Sequence, residues 1–135
     1  MRRTAALLLL ILAAPPSLAQ QGGNTLSDED RRVVRNIVQS CGIVGFVRMH
    51  EVPPLAEGCR SWAQQRPRDA DAATKAEAIL TQARTILDIS GTAHRKVKPD
   101  DRKRIAEAAL RIRDIAKELA IRLRDEKAAA AGRPG

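Results

Sequence analysis

Residues 72–87, AATKAEAILTQARTIL, and residues 105–123, IAEAALRIRDIAKELAIRL, repeat apolar side chains at alternating spacings of three and four. In the first, Ala72, Ala76, Ile79, Leu80, Ala83, Ile86 and Leu87 make one continuous stripe, while Lys75, Glu77, Gln82 and Arg84 fall elsewhere. In the second, Ile105, Ala108, Ile112, Ile115, Leu119 and Leu123 make a seam of the kind that joins antiparallel helices. A 3.6-residue period places each set on one face of a helix. Pro67, Arg68 and Asp69 open the first of these helices, which should run to about Ser90, where Gly91 stops it. Thr92 to Lys98 is a polar connection, and Pro99, Asp100 and Asp101 start the last helix, which should end near Lys127. At 1.5 Å per residue the two are about 33 and 42 Å long, a helical hairpin.

Upstream, Ser27 can cap a helix whose first turn holds Asp28, Glu29 and Asp30, and Val33, Val34, Ile37, Val38 and Cys41 then share one face. From Gly42 to Gly58 the pattern is broken by Gly42, Gly45, Pro53, Pro54 and Gly58, with a short helix expected from Glu57 to Gln64 anchored by Trp62. The chain holds one Phe, one Trp and no Tyr, so its core must be aliphatic, which favours close helix packing and disfavours a sheet. The expected fold is all-α: a small three-helix bundle, made of the long hairpin and the N-terminal helix, with a disulfide-closed irregular segment. Residues 27–127 form a single helical domain, flanked by flexible tails over 20–26 and 128–135.

The first nineteen residues read as a cleavable signal peptide. Arg2 and Arg3 make a positive start, Ala5 to Ala14 an apolar run, and Pro15 and Pro16 precede Ser17-Leu18-Ala19, after which cleavage is expected. Ten apolar residues are too short for a helix across a bilayer of about 30 Å, so a permanent anchor and a transmembrane segment in the mature chain are not expected. The arginine pair lacks the flanking residues of a twin-arginine signal, so general secretion is the expected route, to the bacterial periplasm or beyond. Removing nineteen of 135 residues leaves 116, the size of one ordinary domain.

Cys41 and Cys59 are the only cysteines, and an even pair in an exported chain normally closes a disulfide. A redox pair would call for Cys-x-x-Cys spacing and a thioredoxin-like strand pattern. Cys41, His50, Cys59 and His94 are too widely spaced for a structural zinc site, where ligands pair two to four residues apart. His50 and Glu51 could serve as a base and its orienting carboxylate, but adjacent residues rarely point at each other and no nucleophile is specified nearby. Phe46, Met49, Val52, Leu55 and Trp62 read as a satellite core beneath the disulfide loop rather than a binding pocket.

The formal charge is +8, falling to +6 without Arg2 and Arg3, and from Arg95 to Lys127 twelve Lys or Arg face seven Asp or Glu. Such a surface attracts anionic partners. Most of these cations belong to the solvated side of an amphipathic helix. Leu110 and Ile121 do not fit that pattern, because at 100° per residue they lie about 150° from the seam. Arg113, Lys117 and Arg124 fall beside them, so Leu110, Arg113, Lys117, Ile121 and Arg124 form a candidate interaction surface for an anionic protein or an anionic membrane surface. The competing expectation is that Leu110 and Ile121 pack against the first helix.

An exported chain seldom meets nucleic acid, and the stacking aromatics of single-strand binding are missing. No glycine-rich phosphate loop, Ser/His/Asp set or paired-carboxylate helix is present, and no cofactor is implied. The expectation is therefore an exported, non-enzymatic helical protein acting through its surfaces, in a binding, assembly or chaperone-like role in the envelope. The alternative is a small exported enzyme or small-ligand-binding protein using Phe46, His50, Glu51 and Trp62.

Overall fold

The computed structural model describes residues 25–92 and 97–132. The leader 1–19 with its cleavage site, the start of the expected N-terminal tail, His94, and residues 133–135 lie outside the described residues. Within them the chain forms four α-helices, α1 over Asp28–Cys41, α2 over Val52–Ala63, α3 over Ala70–Thr92 and α4 over Pro99–Ala131. Two 3-10 turns, Val44–Phe46 and Met49–Glu51, connect α1 to α2. The small all-α bundle expected from the periodicity is what forms.

The short helix expected from Glu57 to Gln64 begins five residues earlier, at Val52, so that the bundle has a fourth helix, α2, where the three-helix expectation left an irregular segment around Pro53, Pro54 and Gly58. The prolines sit in its first turn, where amides have no intrahelical acceptor, so their missing N–H groups cost nothing there. Gly58 is carried in the middle of α2 with its Cα position facing open space. Val52, Ala56, Cys59 and Ala63 give α2 its buried face, at the expected spacings of three and four.

Helix α1 packs against α2 and α4, α2 against α3, and α3 against α4, so the four close a ring in which α1 and α3 hardly touch. The interior is aliphatic: Ile37, Ile79, Ile86, Ile105, Ile112 and Leu119 are fully buried. Alanines at 76, 83, 109 and 116 let the helix axes approach closely. The disulfide Cys41–Cys59 joins the last residue of α1 to the middle of α2, with both residues buried. In the disulfide neither sulfur is a thiolate able to ligate a metal ion.

Both ends of the domain extend beyond the bounds read from sequence. Leu26, assigned above to a tail, is buried, and its amide donates to both Glu126 carboxylate oxygens at 3.1 and 3.2 Å. Helix α4 runs past Lys127 to Ala131, since Ala128 to Ala131 are strong helix formers. Among the described residues no helix is long and apolar enough to cross a membrane.

Candidate functional site

Two clusters stand apart from the aliphatic core, one polar and inward, the other apolar and exposed. The polar cluster closes one end of the bundle. Ser27 Oγ accepts from the Asp30 amide at 3.1 Å, capping α1. The Asp30 carboxylate, itself buried, accepts from the amides of Arg68 at 2.9 Å and Asp69 at 2.8 Å, which fixes the chain as it enters α3. Asp69 caps α3 through its carboxylate, which accepts from the Ala72 amide at 3.0 Å.

Two guanidinium N–H groups of Arg122 on α4 donate to the two oxygens of Asp69, at 2.5 and 3.0 Å. The hydrogen bonds from Arg122 hold the Asp69 carboxyl below its ordinary value, against the opposing effect of burial, and Asp69 in turn raises Arg122. Arg122 Nε also donates to Glu126 at 3.1 Å, the residue that receives the Leu26 amide. Every charge here has a partner inside the protein, so the cluster is a clasp joining the starts of α1 and α3 to the end of α4.

The exposed cluster lies at the seam of α1 and α4, which run antiparallel. One end of that seam is fixed by Leu26 against Glu126, the other by Gly45 against α4. A Cβ at Gly45 would stand 2.9 Å from Arg113 Cβ and 3.1 Å from the Ala109 carbonyl oxygen, so only glycine lets the turn lie this close. With Val44 buried on one side of that turn, Phe46 is directed outward and is 72% exposed. This corrects the expectation that Phe46 joins the satellite core. Met49, Leu55 and Trp62 do pack on the core, and Val52 is within it.

The Arg113 guanidinium lies over the Phe46 ring, 5.3 Å from its centroid, while donating to Asp114 at 3.1 Å. Beside this pair is a groove of about 420 Å³ floored by Val38, Ala116 and Ala120 and edged by Phe46, Arg113 and Lys117. A second hollow of about 390 Å³ continues along the seam between Arg31 and Arg35 on α1 and Leu123, Lys127 and Ala130 on α4. Four large apolar residues are exposed among those described, namely Ile43, Phe46, Leu110 and Ile121.

Leu110 at 42% and Ile121 at 37% are exposed, so α1 does not cover them. Lys117 and Arg124 are exposed beside them. Arg35 and Arg31 went unnoticed in the sequence, although with Val38 and Gly42 they recur at four, three and four residues along the margin of the α1 apolar face.

The residues of the alternative site are engaged separately. Glu51 accepts from the Arg48 amide at 3.1 Å, capping its own turn, His50 is exposed, and neither hollow on the seam is lined by His50, Glu51 or Trp62. No group of three His, Cys, Asp or Glu residues able to hold a metal ion occurs among the described residues. No family model matches the chain, and neither the curated proteins nor the solved structures contain a significant match to it.

Proposed function

We propose that this is an exported, non-enzymatic helical protein that works as a binding or assembly module, using the face built from α1, α4 and the Val44–Phe46 turn. The observation that carries the reading is Phe46, the one phenylalanine of the chain, held 72% exposed by a turn that packs tightly on α4. Burying a phenylalanine side chain stabilises by about 2–3 kcal/mol, a gain forgone in the isolated protein and recoverable against a partner. Leu110 and Ile121 extend the apolar content of the same side, and Arg113, Lys117 and Arg124 make it electropositive, which favours an anionic partner. Export is supported by the leader-like first nineteen residues and by a disulfide suited to an oxidising compartment, the periplasm or the exterior.

A comparison of the oxidised protein with its Leu110→Glu/Ile121→Glu form tests the reading, by recovery of partners from envelope extract at low and high salt. Both positions are exposed, so melting temperature should stay nearly constant while recovery is lost. A large fall in melting temperature, or recovery that does not change, would contradict it.

A further inference from the structure

We infer that the α1–α4 seam is a docking groove for a single acidic amphipathic helix of a partner protein. This rests on the surface-acting function proposed above and names the occupant and its place. The two hollows lie end to end, since Arg35 is followed one turn later by Val38 on α1, and Ala120 by Leu123 on α4. From Arg113 to Ala130 the groove follows eighteen residues of α4, about 26 Å from first to last at 1.5 Å per residue, long enough for a helix of some five turns.

Its floor is apolar and low. Val38, Ala116, Ala120 and Leu123 let a third helix settle between the two walls, with Phe46 closing one end. The edges carry Arg31, Arg35, Arg113, Lys117 and Lys127 against only Asp114 and Glu126. Both acids are already engaged, Asp114 by Arg113 and Glu126 by Arg122 and the Leu26 amide. Arg35, Lys117 and Lys127 make no ion pair among the described residues. An occupant apolar on one face and rich in Asp or Glu on its flanks therefore complements both floor and edges.

The walls also select the backbone form. Each is a helix whose backbone groups are bonded internally, so an extended peptide lying here would bury amides without acceptors, whereas a helix brings its own. A bilayer would meet the rims and leave the recessed floor empty. A second copy of this chain would bring the same excess of cations against itself.

The oxidised protein, purified from the cells that make it, is titrated into three labelled probes. They are an eighteen-residue helical peptide with Leu on one face and Glu elsewhere, a scrambled peptide of identical composition, and vesicles of phosphatidylglycerol. The inference expects saturable binding of the amphipathic helix and at least tenfold weaker binding of the scramble. At least a tenfold loss is expected in Lys117→Glu/Lys127→Glu, whose sites are exposed, and in Ala120→Trp, which fills the floor, with melting curves of the charge variant unchanged. Equal affinity for the scramble would overturn the groove, as would Lys117→Glu/Lys127→Glu binding as well as the parent. Vesicle binding with no peptide preference would overturn the helix partner and leave the surface-acting function standing, and binding to none of the three would overturn both.

Discussion

Arg122, near the end of α4, holds Asp69, the residue that caps α3, through two parallel N–H to oxygen hydrogen bonds. The pair is mostly buried, with side chains 19% and 14% exposed, so it is worth more than a surface ion pair. Removing the arginine leaves a carboxylate inside the clasp with its cap intact but its charge unbalanced. Arg122→Ala should lower stability by about 2–4 kcal/mol, a part-buried instance of breaking an internal ion pair, read as a shift of the urea midpoint at neutral pH.

The same pair sets an acid limb. Because Asp69 is held below its ordinary value of 3.8, its contribution is fully present above that pH and is lost as pH falls through the lower folded value. Urea midpoints of the parent should fall as pH drops from about 5 towards 2. Arg122→Ala should show a visibly shallower fall over that window, and identical slopes would contradict the assignment.

Gly45→Ala should destabilise the protein by about 1–3 kcal/mol, the range for forcing extra atoms into a packed contact. The new methyl would meet the Ala109 carbonyl oxygen, which is backbone and cannot swing aside, as well as Arg113 Cβ. Thermal unfolding is the check. A melting temperature within a degree or so of the parent would mean that the turn does not rest on α4.

The disulfide closes a loop with a sequence separation of 18, for which chain entropy alone gives a stabilisation of about 3 kcal/mol. Peptide mapping without reductant should recover Cys41 and Cys59 in one crosslinked product, and Cys41→Ser/Cys59→Ser should unfold at clearly lower urea. Two free thiols in protein alkylated at harvest would contradict the pairing in the cell.

The proposed export predicts an intact mass corresponding to a chain that begins at Gln20. A product retaining Leu7 to Leu12 would rule out cleavage after Ala19.

Legibility in the sequence followed the physics of each feature. The faces of α1, α3 and α4 could be read because aliphatic residues at helical spacing report one-sided burial directly, and Leu110 and Ile121 stood out because their angle broke that rule. The start of α2, residues 52–56, was obscured because prolines interrupt a pattern without saying whether they open a helix or end one. Phe46 was misplaced for a different reason. Whether an aromatic two residues past a buried Val44 turns in or out depends on how close Gly45 lies to α4, a tertiary distance with no local signature. The clasp was illegible too, since Asp30, Asp69 and Arg122 lie 38 or more residues from the partners they hold across the fold and resemble ordinary caps and surface charges.

The most direct test of the proposed surface is site-specific photo-crosslinking in the cells that make the protein, with a photoreactive phenylalanine analogue placed at Phe46, at Leu110, and at exposed Arg84 on α3 as control. A face that works by binding predicts discrete higher-mass adducts from positions 46 and 110, lost on introducing Lys117→Glu, and none from position 84. Adducts of equal yield at all three positions, or at none, would contradict it.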